Sequence, residues 1–145
     1  MRVITHSPDE TIKFAEKLGK LLKKGDMIAF RGTLGAGKTT FTRGLAMGLG
    51  LPDCVSSPTF ALVNEYIGEI SLYHFDMYRI ETEGDLESSG FWDYDFANNI
   101  AVIEWSENIA EFLPEKLINI TINSLGDTDR EIIIEDGERF VSAWN

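Results

Sequence analysis

Positive charge is scarce in this chain. Its 145 residues carry 13 Lys and Arg against 24 Asp and Glu, a formal net charge of −11. Gripping nucleic acid over a wide footprint needs clustered Lys and Arg, so the chain is a poor candidate for gripping nucleic acid by itself. Cysteine is scarcer still. Cys54, the only one, can neither close an internal disulfide nor build a thiolate zinc cluster. No apolar run approaches the roughly 18 residues of a membrane span, and Met1–Glu10 holds no apolar signal core. The expectation is a cytoplasmic chain with no membrane partner. Asn119-Ile120-Thr121 matches a glycosylation acceptor, but without an export signal it reads as chance. Internal repeats, low-complexity stretches and linkers are missing too.

What is present is an ordinary globular composition, 43% hydrophobic and 26% charged, which excludes disorder and collagen-like repeats. The length suits a single domain over 1–145, able to bury roughly 68–70% of its extended surface.

Arg2–Ile4 reads as a short strand. Ser7 then reads as a helix cap, with Pro8 in the first turn and Glu10 closing a capping box. Ile12, Phe14, Ala15, Leu18, Leu21 and Leu22 recur at helical spacing up to Gly25-Asp26. Met27–Phe30 is a continuous apolar run, which suits a strand buried on both faces. A helix is expected from about Lys38 to Leu49, a loop over Asp53–Thr59, and a hairpin of Phe60–Tyr66 with Ile70–Asp76 around Gly68. Glu81–Ser89 suggests a short helix. Ile100–Glu104 is a second buried strand, with a helix after it reaching Leu113-Pro114. Leu117–Ile122 and Glu131–Ile134 close the chain as strands around Gly126-Asp127.

Gly32-Thr33-Leu34-Gly35-Ala36-Gly37-Lys38-Thr39 fits G-x-x-x-x-G-K-[ST] at every fixed position, between a buried strand and a helix. The chemistry explains the spacing. Glycines let successive N–H groups curl inward as an anion nest, and the following helix adds its positive dipole end. Lys38 reaches the β- and γ-phosphates, and the Thr39 hydroxyl ligates Mg²⁺. The expected fold is therefore a P-loop NTPase-like three-layer α/β domain, with a mixed, mostly parallel sheet and antiparallel additions.

Such a loop needs an acid at the end of another strand, to hold Mg²⁺ or a water that does. Glu104 ends Ile100-Ala101-Val102-Ile103 and Asp76 ends Leu72-Tyr73-His74-Phe75. Sequence leaves open which is nearer the metal and which orients the attacking water. Strand alternation puts His74, Asp76 and Tyr78 on one face and Tyr73, Phe75 and Met77 on the other. His74 reads either as a satisfied structural imidazole or as a catalytic base. Arg79 either pairs a carboxylate or faces a phosphate. Alternation aims Trp105 away from the face of Glu104, toward core or partner. Ser56-Ser57-Pro58-Thr59 is a γ-phosphate-sensing loop or an ordinary turn.

Gly32–Thr39, Ser57-Pro58-Thr59-Phe60, His74-Phe75-Asp76-Met77-Tyr78-Arg79 and Ile103-Glu104-Trp105-Ser106-Glu107, taken in order, resemble the bacterial TsaE family. Met77 and Ser106 depart from the Leu and Pro more usual there, and neither change removes a chemical group. The resemblance implies a small ATPase required for threonylcarbamoyladenosine modification of tRNA. It would bind and hydrolyse ATP while docked on the TsaB and TsaD proteins, meeting tRNA only through that complex. It also implies ATP or ADP held by Thr33, Leu34, Gly35, Ala36, Gly37, Lys38, Thr39 and Thr40, with Mg²⁺ at Thr39 and Glu104. Lys38, Glu104 and Asp76 would carry catalysis, Thr59 would lie near the γ end, and Trp105 would lie beside the site.

Two other readings share the P-loop. A small-molecule kinase would need an Arg-rich lid, whereas the six arginines here are spread along the chain. A non-catalytic, nucleotide-gated binding module would not need Glu104. A GTPase is disfavoured because no Asn-Lys-x-Asp element follows the loop. Slow intrinsic turnover is expected, since no arginine is obviously placed as a finger.

Overall fold

Nearly every apolar run of the sequence enters a single sheet. The computed structural model describes residues 1–32, 36–52, 55–56, 63–135 and 137–143. The strands are β1 (Arg2–Thr5), β2 (Met27–Gly32), β3 (Val55–Ser56), β4 (Val63–Tyr66), β5 (Leu72–Asp76), β6 (Ile100–Glu104), β7 (Ile118–Ser124) and β8 (Arg130–Ile134). The α-helices are α1 (Pro8–Gly19), α2 (Lys38–Gly48) and α3 (Glu83–Ser88), and 3₁₀ segments cover Phe91–Asp93, Ser106–Phe112 and Gly137–Ala143. The sheet order is β1-β8-β7-β2-β6-β5-β4-β3. Parallel ladders join β7-β2-β6-β5, and antiparallel pairs extend both edges.

The parallel centre is buried on both faces, as its apolar runs require. Ile28 and Phe30 of β2 and Ile100 and Val102 of β6 pack in one cluster with α1 and α2. Met27, Ala101 and Ile103 face the opposite cluster, with Phe75, Leu86, Phe91 and Ile109. Two-residue alternation therefore builds three layers from these strands. Phe41 lies edge-on to Phe30 at 5.6 Å, which fixes the first turns of α2 against β2. Gly48 lets the two helices touch, since a Cβ there would collide with the carbonyl oxygen of Glu16 in α1.

Local signals set the ends of these elements. The Ser7 hydroxyl accepts from the Glu10 N–H at 3.1 Å, with Pro8 at the first helical position. The full reciprocal capping box forms elsewhere, between Thr82 and Asp85 at the start of α3. β4 and β5 pair as the expected hairpin, and the Gly68 N–H donates to Ser71 Oγ across its turn.

Two expectations need correction, and one element has no counterpart among them. The loop expected over Asp53–Thr59 contains β3, whose two residues pair with Asn64 and Glu65 of β4. The segment after β6 is 3₁₀ rather than α, broken at Ile109 (φ −126°, ψ 20°). Trp105 enters it in the left-handed region, and the amide of Asn108 is drawn to the Met77 carbonyl at 2.9 Å. The 3₁₀ segment Gly137–Ala143 carries no strong sequence signal. Phe140 and Ala143 bury it, and Arg139 ties it back through Asp26 at 2.7 Å and the Leu21 carbonyl at 2.9 Å.

Ser106 lies 2% exposed, and its hydroxyl has no hydrogen-bond partner among the described residues. A buried hydroxyl left unpaired costs about 1 kcal/mol or more. Ser106→Ala is therefore expected to stabilise the protein, raising Tm by about 3 °C in a thermal melt.

Candidate functional site

The site is built at the carboxyl ends of β2, β6 and β5, where open α/β sheets receive ligands. Gly32 ends β2 at φ +126°, and a Cβ on it would fall inside the carbonyl oxygen of Ile122 on β7. The first glycine of the motif is thus required by the neighbouring strand as well as by the turn. Gly37 (φ 94°, ψ 26°) is the cap residue of α2 and offers no side chain to cap it. Ala36 is buried, Lys38 and Thr40 are half-buried, and Thr39 is exposed on the first turn. The Thr42 hydroxyl donates to the Lys38 carbonyl at 2.9 Å, closing that turn. Thr33, Leu34 and Gly35 lie outside the described residues, as do Cys54, Ser57, Pro58, Thr59 and Phe60.

A cavity of about 340 Å³ opens above the loop, lined by Phe30, Arg31, Gly32, Lys38, Trp105 and Glu107. Lys38 makes no ion pair among the described residues, and Arg31 brings a second exposed cation to the same space. Arg31 was legible only as a position one residue before the motif. It becomes a site residue because β2 runs that far before turning.

The two acids stand side by side. Phe30, Glu104 and Asp76 share one register across β2, β6 and β5. Glu104 is on the strand adjoining the loop strand, and Asp76 is one strand farther out. Glu104 Oε2 meets His74 Nε2 at 2.7 Å. No hydrogen bond to Oε1 forms among the described residues. Asp76 is exposed, and its Oδ1 accepts from the Tyr78 N–H at 3.0 Å, stabilising the turn that leaves β5. The Met77 N–H donates to the Glu104 carbonyl at 3.0 Å, which locks the two strand ends together.

Trp105 departs from the alternation reading. The strand ends at Glu104, and Trp105 takes φ 59° and ψ 39°. Its ring is swung to the cavity mouth, 5.0 Å from the exposed Tyr78 ring. It also borders a second cleft of about 610 Å³ with Tyr78, Arg79, Ile80, Glu81 and Asn108. Arg79 pairs with no carboxylate among the described residues and opens onto this cleft.

Arg130, which sequence reasoning missed, braces the loop from behind. Its guanidinium donates to the carbonyls of Ala36 at 3.0 Å, Gly126 at 3.0 Å and Asp129 at 2.8 Å. With Thr11, Gly37, Thr40 and Thr128 it lines a narrower cleft of about 100 Å³. The contact spans 94 residues of sequence, so no local pattern could have revealed it.

No group of three or more His, Cys, Asp or Glu residues forms a metal cage among the described residues. The candidate donors are hard oxygens: Glu104 and Asp76 at adjacent strand ends, and the Thr39 hydroxyl on the first turn of α2. That set fits Mg²⁺, which is typically held by one or two carboxylates together with substrate phosphates. No helix among the described residues is long and apolar enough to cross a membrane.

The family model described as threonylcarbamoyl adenosine biosynthesis protein TsaE matches residues 5–132. A protein of Treponema pallidum named tRNA threonylcarbamoyladenosine biosynthesis protein TsaE is 38% identical over 134 residues, 92% of this chain and 99% of its own. The protein of the same name from Bacillus subtilis is 43% identical over 129 residues, covering 88% and 80%. The crystal structure of Bacillus subtilis YdiB superposes with a TM-score of 0.72 at 36% identity, over 92% of this chain and 83% of that one.

Proposed function

The chain belongs to the TsaE family, and from that premise we propose that it is an ATP-binding and ATP-hydrolysing subunit in threonylcarbamoyladenosine modification of tRNA. It works docked on a TsaB–TsaD pair and touches tRNA only through that complex. The whole of 1–145 acts as one nucleotide-binding domain in the cytoplasm. The observation that carries this reading is the cavity above the loop. It joins Lys38 and Arg31, at the end of the loop strand, to a helix start whose cap residue is a glycine.

The residues divide the work as follows. The backbone of Thr33–Lys38 and the positive end of α2 receive the phosphates of ATP or ADP. Lys38 holds the β- and γ-phosphates, and Arg31 adds charge at the same mouth. Thr39 and the free oxygen of Glu104 hold Mg²⁺ or its waters, and the bound ion neutralises charge on the transferring phosphoryl group. Topology favours Glu104 over Asp76 for that place, because β6 adjoins the loop strand and β5 does not. Asp76, one strand out, orients the attacking water. Thr40 follows along the first turn of α2, beside the nucleotide.

The negative charge supports the division of labour. A chain of net charge −11 energises or resets a complex whose other members hold the RNA. Its partner is expected to offer a basic face, so association weakens as salt rises. Slow hydrolysis by the isolated chain should accelerate when the TsaB–TsaD pair is added at low salt, and the gain should fade by about 0.5 M salt, where screening is short-ranged. A hydrolysis rate indifferent to the pair would contradict this reading.

A further inference from the structure

The two buried polar atoms without a partner among the described residues are Ser106 Oγ and His74 Nδ1. The second belongs to a ring whose other nitrogen is fully engaged. His74 sits on β5 only 5% exposed, two residues before the end of the strand. It is opposite Val102 in register and reaches diagonally along one face to Glu104 on β6. Its Nε2 meets Glu104 Oε2 at 2.7 Å.

These contacts bear on both sequence readings of His74. A general base must reach the proton it removes, directly or through one water. Here Nε2 is occupied by a carboxylate and Nδ1 is sealed from solvent, so the ring cannot serve an attacking water. Nor is it merely a filled core position. A glutamate at a strand end has three side-chain torsions to fix, and a ring clamped in the neighbouring strand fixes them through one hydrogen bond. With Nδ1 lacking an acceptor among the described residues, the proton belongs on Nε2, pointed at Oε2.

The geometry points to His74 as a positioning residue: its Nε2–H fixes one oxygen of Glu104, so that the other is presented to Mg²⁺ on the nucleotide. This rests on the reading of Glu104 as the metal-side acid. Partners of this kind, one bond removed from the metal, typically change metal affinity by about 10–100-fold when lost.

The test is the affinity of Mn²⁺, read by EPR, for the full chain loaded with a non-hydrolysable ATP analogue. Analogue affinity in EDTA reports whether the site is still folded. His74→Leu should weaken Mn²⁺ by about tenfold or more and leave the EDTA value unchanged. His74→Gln, whose amide nitrogen can occupy the Nε2 position, should stay within about threefold of the unsubstituted chain. Glu104→Gln should lose at least as much as His74→Leu. If Glu104→Gln weakens Mn²⁺ and His74→Leu does not, or if His74→Leu loses EDTA affinity equally, the inference is overturned and the proposed function stands. If Glu104→Gln changes nothing, the metal-side reading of Glu104 fails and the inference falls with it. NMR of the unsubstituted chain decides the matter even if His74→Leu does not fold. A slowly exchanging proton on His74 Nε2 that shifts when Mg²⁺ joins the analogue supports the inference. A proton on Nδ1, or one that exchanges freely, overturns it.

Discussion

Lys38→Ala is expected to weaken ATP binding by about 100-fold or more and to abolish turnover. The magnitude follows from what the ammonium does. It would make charge-assisted hydrogen bonds to two phosphates, each contributing about 1.5–3 kcal/mol, and about 2.7 kcal/mol already corresponds to 100-fold. Folding should survive, because Lys38 is half-buried and makes no ion pair among the described residues. Calorimetric titration with ATP and a steady-state hydrolysis assay measure the two effects, with a thermal melt as control. A variant that hydrolyses ATP at the normal rate would contradict the assignment of the loop.

Glu104→Gln should separate binding from chemistry. The amide keeps the shape of the side chain and can still accept from His74 Nε2, so packing and the hydrogen bond at Oε2 are retained. What is lost is the negative charge facing Mg²⁺. Turnover is expected to fall by about 100-fold or more, with ATP affinity measured in EDTA within a few-fold of the unsubstituted protein. Modification of tRNA by the reconstituted system should fall with it. If the variant sustained modification at the full rate while binding ATP, the protein would be a nucleotide-gated module and hydrolysis would be incidental.

The contrast between these residues and those that escaped sequence reasoning has a physical basis. Lys38, Glu104 and Asp76 were legible because each stands at a junction marked locally: a glycine loop feeding a helix, or an apolar run ending in an acid. The buried runs Met27–Phe30 and Ile100–Glu104 likewise announced the parallel centre, since only strands covered on both faces tolerate such sequences. Their adjacency was not legible. Strand order and register across β2, β6 and β5 are long-range properties: register sets the two acids level, and the strand order puts Glu104 next to the loop strand with Asp76 one strand beyond.

Trp105 shows where a local rule fails. Alternation holds while the strand lasts, and it lasts one residue fewer than the extrapolation to Trp105 required. The left-handed backbone at Trp105 then swings the ring to the mouth that strict alternation denied it. The resemblance to TsaE proteins had placed Trp105 beside the site, and the geometry agrees with that implication. The 3₁₀ segment after it escaped for a related reason. Asn108 spends its side chain on the Met77 carbonyl, a contact 31 residues away in sequence, and regular α-helix is given up to make it.

The most direct test of the account is a crystal structure of the chain with Mg²⁺ and a non-hydrolysable ATP analogue. The account predicts the β- and γ-phosphates against Lys38 and the first turn of α2. It places the metal on the side of Thr39 and Glu104, with Asp76 one strand farther away. Phosphates seated instead in the cleft between Tyr78 and Arg79, or a metal held by Asp76 with Glu104 turned from it, would contradict it.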